Sequence, residues 1–169
     1  ILTGAQTGGP QETGRRAGTE NYPAIAGMVA ALVRCRDNEG GQGPRRNLEA
    51  RILESIPGMR VVAADASRLW NTSMLVLPRF GNLKWLTRLS HLNFQVSTGS
   101  ACSSGKDNPS HVMEAMGLSF EEMGRVLRIS SWWNTATEDW DSLGDALEEV
   151  WAELKKPSGE GRKKRTITL

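Results

Sequence analysis

"RVLRISSWWNTATEDWDSLGDALEEVWAEL", residues 125–154, joins a run of strand character to a long amphipathic helix. "RVLRISSW" reads as a strand, because branched and apolar residues dominate it over a strand's usual length. Thr135 with Glu138 three positions on has the spacing of a capping box. Beyond it Trp140, Leu143, Leu147, Val150, Trp151 and Leu154 fall on one helical stripe, the side that must find an apolar partner. A strand that feeds a one-sided helix implies a layered domain, with the helix covering a sheet.

The preceding sequence supplies the rest of those layers. "MRVVAA" (59–64) and "SMLVLP" (73–78) read as strands, the second ended by Pro78, and "NFQVS" (93–97) is a candidate third. Between them "NLKWLTRLSHL" (82–92) has helical spacing at Leu83, Leu86 and Leu89. Upstream, Asn21 can cap a helix with Pro23 in its first turn and Ile25, Met28, Val29, Leu32 and Val33 on one face. "NEGGQGPRR" reads as a loop, after which Asn47 can cap a helix carrying Leu48, Ile52 and Ile56, stopped by Pro57-Gly58. Asn108-Pro109 reads as a cap and first-turn proline of a short helix closed by Gly117. Ser119 to Glu122 is another capping box. The expected class is α+β, a small antiparallel or mixed sheet with helices packed on one face.

Composition excludes several functions. The chain has 169 residues, 38% hydrophobic and 24% charged, with a formal charge of +2. No apolar run approaches the roughly 18 residues of a membrane span. The charge is too small for strong phosphate steering, so nucleic acid is not an expected partner, and "GRKKR" (161–165) reads as a solvated tail. With two cysteines, Cys35 and Cys102, two histidines, His91 and His111, and no CxxC or HxxxH spacing, no metal site is expected. So few cysteines fit a reducing compartment, and the cytoplasm is the expected location. "ILTGAQTGGP" has no initiating methionine and no signal-peptide pattern, and it reads as a start cut from something longer.

Cys102 sits in "STGSACSSG" (97–105). Gly99, Ser100, Ala101, Ser103, Ser104 and Gly105 leave it accessible, and Lys106 adds a positive charge, the setting of a thiol that reacts as thiolate. From the residues alone a packed, unreactive thiol is the favoured reading, since free cysteine is usually buried.

Four segments in order, "TGGPQETGRRAGTEN" (7–21), "STGSACSSG" (97–105), "NPSHVMEAMGL" (108–118) and "LRIS" (127–130), resemble the C-terminal part of cysteine desulfurases of the class V aminotransferase family. The resemblance covers the chain from about Thr7 to Leu154. It implies residues 1–20 as a glycine-rich segment from the end of a large domain, 21–156 as the small C-terminal domain of a pyridoxal-phosphate-dependent transferase, and 157–169 as a basic tail.

The activity implied is transfer of sulfur from L-cysteine to an enzyme cysteine as persulfide, with release of alanine, for iron-sulfur cluster assembly or other sulfur delivery. Cys102 matches the family's mobile nucleophile. Arg128 matches the arginine that clamps the substrate carboxylate, a task suited to a planar guanidinium fork. Thr19 matches a position that reaches the phosphate of pyridoxal 5'-phosphate in a neighbouring subunit, so a homodimer and a sulfur-acceptor or scaffold protein are expected partners.

None of the lysines sits in a setting like the family's Schiff-base segment, which belongs upstream of residue 1, and the chain reads as an inactive fragment. Pro10 stands where the family has a third glycine, and Trp132-Trp133 where it has smaller residues. The alternatives are a class V aminotransferase or lyase in which Cys102 is idle, a hydrolase pairing Cys102 with His91 or His111, and a non-catalytic interaction module.

Overall fold

The computed structural model describes residues 4, 6–34, 42–99 and 110–156. The chain divides into two compact units, Ile1–Asp37 and Asn38–Leu169.

The first unit holds α1 (Gln11–Gly14) and α2 (Tyr22–Arg34). α1 is an irregular turn in which Glu12 and Thr13 have φ of 54° and 59°. Asn21 caps α2 as expected, its Oδ1 accepting the Ala24 N–H at 3.2 Å. The apolar residues Ile25, Met28, Val29, Leu32 and Val33 form in the helix but are exposed.

The second unit runs α3 (Gln42–Ser55), β1 (Arg60–Val61), β2 (Thr72–Val76), α4 (Asn82–His91), β3 (Ser97–Thr98), α5 (His111–Ala115), α6 (Phe120–Met123), β4 (Val126–Ser130) and α7 (Thr137–Lys155). The sheet is antiparallel throughout in the order β1-β2-β4-β3. Successive side chains of a strand point to opposite faces. Leu75, Leu127 and Ile129 therefore share one face, where they join Ile52 of α3 and Ile56 just beyond it, Trp85 and Leu89 of α4, and Trp140, Leu147 and Val150 of α7 in the main core. Trp85 stacks on Trp151 at 6.1 Å between ring centroids. A smaller cluster of Val62, Val76, Met113, Leu118 and Val126, with Met74 and Met123 against it, brings in α5 and the turn that follows it.

Several local expectations shift. The loop expected at "NEGGQGPRR" is helical from Gln42, and Asn47 lies inside α3 rather than capping it. Pro44 is tolerated there because first-turn N–H groups need no intrahelical partner. The strand expected over 59–64 pairs only at Arg60–Val61, and Ala63 with φ 51° turns the chain away. "NFQVS" contributes to the sheet only through Ser97. On α4 the buried pair is Trp85 and Leu89, four residues apart, while Leu83 is exposed.

Helix α7 starts one residue later than its expected box. Thr135 Oγ1 is taken by the Trp132 N–H at 2.9 Å, and Asp139 accepts the Ala136 N–H at 3.0 Å. Asn108-Pro109 lies outside the described residues, and α5 is capped by Ser110. The Ser119–Glu122 box forms as read: Glu122 accepts the Ser119 N–H at 2.8 Å and Ser119 accepts the Glu122 N–H at 3.3 Å. Those bonds from Ser119, with Arg60 alongside, hold the Glu122 carboxyl at about 2.

A buried polar knot ties α3 to β2. Glu49 accepts Arg45 Nη1 at 2.7 Å and Ser73 Oγ at 2.7 Å. The Arg68 fork reaches the same carboxylate at 2.8 and 2.9 Å. Arg45, Glu49 and Ser73 are all buried. Burial alone would raise the Glu49 carboxyl, but hydrogen bonds from Arg68, Ser73 and Arg45 outweigh it and hold the group below its ordinary value.

Removing one partner of such a knot leaves uncompensated buried charge. Glu49→Ala is expected to cost about 3–5 kcal/mol, read from the urea midpoint at constant slope. A carboxyl lowered on folding contributes stability that is complete above its unfolded value and lost as pH falls through the folded one. Acid unfolding followed by tryptophan fluorescence should therefore begin below pH 4.5, the ordinary value for Glu49 and Glu122, and Glu122→Gln should flatten the stability profile between 4.5 and about 2.

Candidate active site

Arg128 lies in the middle of β4, opposite Met74 of β2 on one side and Ser97 of β3 on the other. By alternation it points away from the face that carries Leu127 and Ile129. It is half-buried. Each of the other buried or half-buried arginines has a carboxylate within 4 Å: Arg16, Arg45, Arg51, Arg68, Arg88 and Arg125 pair with Glu12, Glu49, Glu148, Glu49, Glu153 and Glu121. Among the described residues Arg128 has no such partner. A partly desolvated guanidinium without a counter-charge is the group best suited to an incoming carboxylate.

Strand β3 leads from this arginine towards Cys102, which lies outside the described residues, as do Cys35 and Lys106. Ser97 is the cross-strand neighbour of Arg128 and Thr98 that of Leu127, so the segment that carries the cysteine departs directly from the strand beside the arginine. Its near end is packed at Gly99: a Cβ there would overlap Met113 Cε and come within 2.9 Å of Val126 Cγ1. Its far end is held by Ser110, whose Oγ accepts the Met113 N–H at 3.5 Å. Met113 thus sits at both ends, buried in the smaller core.

His111, in the first turn of α5, is highly exposed and 3.9 Å from Glu114. His91 is exposed at the end of α4. Among the described residues no group of histidines, cysteines and carboxylates could hold a metal ion. A groove of about 130 Å³ lined by Val96, Ile129, Thr135 and Trp140 does not include Arg128.

Thr19 belongs to the first unit. It is exposed and follows Gly18, whose φ of 101° requires glycine. Arg16 Nη1 donates to the Gly18 carbonyl at 2.9 Å and Gln11 Oε1 accepts the Gly18 N–H at 3.3 Å. This supported turn with a free-standing hydroxyl is the kind of donor set an oxyanion takes.

The described lysines do not match a covalent cofactor anchor. Lys84, Lys155 and Lys156 are exposed, the first two with Nζ over the rings of Phe80 at 5.5 Å and Trp151 at 5.1 Å, and neither cavity described is lined by lysine. The described residues suit the phosphate end of pyridoxal phosphate and not its aldehyde.

Sequence reading missed Ser97 as the residue beside Arg128 and Met113 as the clamp on the cysteine segment. The period-two pattern of "LRIS" marks Arg128 as facing away from the core, but a cross-strand partner emerges only from the sheet order.

The fold matches part of the solved NifS-like proteins. An X-ray structure of a NifS-like protein from Rickettsia africae superposes with a TM-score of 0.71 at 29% identity, over 90% of this chain and 41% of that one. A second NifS-like protein superposes with a TM-score of 0.68 at 24% identity, which bears on the fold alone. No family model matches the sequence. Among curated proteins, the cysteine desulfurase of Rhodobacter capsulatus is 39% identical over 153 residues, 88% of this chain and 40% of the relative. That of Cereibacter sphaeroides is 36% identical over 157 residues, and the cysteine desulfurase NifS of Azotobacter vinelandii 34% identical over 156. The chain belongs to the cysteine desulfurase family and spans about two fifths of the length of these relatives, consistent with a C-terminal portion. Among the described residues no helix is long and apolar enough to cross a membrane.

Gly99→Ala tests the packed end of the cysteine segment. Because Met113 and Val126 are buried and have little room to yield, the added methyl is expected to destabilise by about 1–3 kcal/mol, the usual cost of overpacking, with chemical shifts moving at the Met113 and Val126 methyls. A neutral substitution would show that Met113 swings aside freely.

Proposed function

We propose that this chain is the C-terminal part of a cysteine desulfurase and that its residues receive and carry sulfur. The observation that supports this best is the half-buried Arg128, without a carboxylate among the described residues, on the strand beside the segment that bears Cys102. L-Cysteine supplies the missing carboxylate, and the guanidinium fork fixes its orientation by two parallel hydrogen bonds.

With the substrate so held, the Cys102 thiolate attacks its sulfur. The new S–S bond forms as the substrate's carbon–sulfur bond breaks, the carbon fragment gains a proton, and alanine leaves. Pyridoxal phosphate, when bound, supplies the electron sink that makes this bond weak. Thr19 donates its hydroxyl to the cofactor phosphate, in keeping with its exposed position on a supported turn. The persulfide on Cys102 is then passed to a nucleophilic acceptor, a scaffold for iron-sulfur cluster assembly or another sulfur carrier.

The division of labour implies that the Schiff-base lysine and the large domain lie in the rest of the enzyme, that the enzyme is a homodimer, and that it works in the cytoplasm. Residues 1–20 are then the end of the large domain, 21–156 the small domain and 157–169 a basic tail.

In the intact enzyme that contains this sequence, Cys102→Ser is expected to abolish persulfide formation while leaving cofactor absorbance unchanged, because the thiolate acts after substrate is bound. Persistent sulfur release would overturn the role of Cys102. Arg128→Lys keeps the charge and loses the bidentate fork, and should raise the cysteine concentration for half-saturation by roughly tenfold or more. The 169-residue chain alone, mixed with pyridoxal phosphate and cysteine, should give no lysine-dependent absorbance band and no alanine above the free-cofactor background.

A further inference from the structure

Where α3 begins, a polar cavity of about 210 Å³ opens, lined by Gln42, Arg45, Arg46, Ser67 and Arg68 with two alanines of the β1–β2 connection. It is far larger than a single water needs, roughly 10–15 Å³. Three arginines line it and, among the described residues, no carboxylate does.

Glu49, the carboxylate shared by two of these arginines, is already occupied. It accepts Arg45, both terminal nitrogens of Arg68, and Ser73. One buried carboxylate thus stands against the three lining guanidiniums, while Asp65, between the two lining alanines, is exposed and is not part of the lining. Arg68 Nε is buried and has no hydrogen-bond partner among the described residues. Arg46, exposed at the rim, makes no ion pair among them. The first turn of the 14-residue α3 adds the positive end of its dipole. A cation would be repelled and an apolar ligand would find no apolar lining, whereas a compact oxyanion meets fixed planar donors on several sides.

We propose that this cavity is a binding site for a small tetrahedral oxyanion of the phosphate or sulfate type, held by Arg46 and Arg68 with Arg45 behind them. The site is built on α3 and the β1–β2 connection and does not depend on the sulfur-transfer reading. The structural work of Arg45 and Arg68 continues in it: their shared carboxylate fixes both guanidinium planes before an anion arrives, so little ordering remains to be done on binding.

The test is titration of the 169-residue chain with inorganic phosphate and, separately, with sulfate, at ionic strength held constant with chloride. Calorimetry gives the affinity and amide NMR the location. Saturable shifts centred on Gln42, Arg46, Ser67 and Arg68 are expected, for either or both anions. Arg46→Gln, an exposed change that leaves the Glu49 knot intact, should weaken binding about tenfold, the effect of one charge-assisted hydrogen bond, and Arg46→Lys should recover part of it. Absence of saturation by about 10 mM anion, equal affinity in Arg46→Gln, or shifts reproduced by chloride alone would each overturn the site.

Discussion

Strand β4 is paired on both sides, and its register decides which residues become core and which become site. Against β2 it is held at five positions from Thr72–Ser130 to Val76–Val126, and against β3 at Ser97–Arg128 and Thr98–Leu127. A shift by one residue would send Arg128 among Leu75, Trp85 and Leu147 and turn Leu127 and Ile129 out of the core. Apolar burial on the helix face thus enforces the presentation of a cation on the other. Leu127 is fully buried and Ile129 nearly so, which makes the slipped arrangement costly at two positions together with a desolvated charge at a third. The candidate site inherits its precision from the core beneath it.

The smaller cluster has a different task. Met113 and Val126 close on Gly99, so the strand that runs beside Arg128 and the helix that follows the cysteine segment meet in one apolar contact. The described residues on either side of the cysteine-bearing segment, Gly99 and Ser110, are both fixed. They are held by unlike means, one by the absence of a side chain and the other by a hydroxyl.

Much of this architecture is legible in the residues. The apolar stripe of α7 and the Ser119–Glu122 box form as their spacing implies, because both rest on local periodicity and on bonds three residues apart. What resists reading depends on distant partners. Asn47 looks like a cap beside a glycine- and proline-bearing stretch, yet α3 starts at Gln42, and Arg45 and Glu49 lie one helical turn apart in its buried face. That spacing was the available signal, but the residues that make the burial tolerable, Arg68 and Ser73, come from other elements. Leu83 and Leu89 look equivalent in sequence, and only the position of α7 decides that Leu89 and Trp85 are covered. Cys102, which lies outside the described residues, is a candidate only through likeness to a family, since small residues around a thiol by themselves favour an inert connection.

The arginines separate structure from recognition. Where an arginine is buried for architecture, a carboxylate goes with it, as Glu49 does for Arg45 and Arg68 and as Glu148 and Asp145 do for Arg51 between α7 and α3. For Arg51 the penalty for withdrawing a guanidinium from water is met inside the fold, and nothing is left over for a ligand. Arg128 breaks that rule among the described residues while being similarly half-buried, so its desolvation is a standing cost that binding of a carboxylate would relieve. The cavity at α3 combines the two cases: Glu49 neutralises one charge of a three-arginine group and sets the orientation of two of its members. Excess positive charge, held rigid by the same carboxylate that stabilises the helix, is what distinguishes that cavity from the fully matched pairs elsewhere on the molecule.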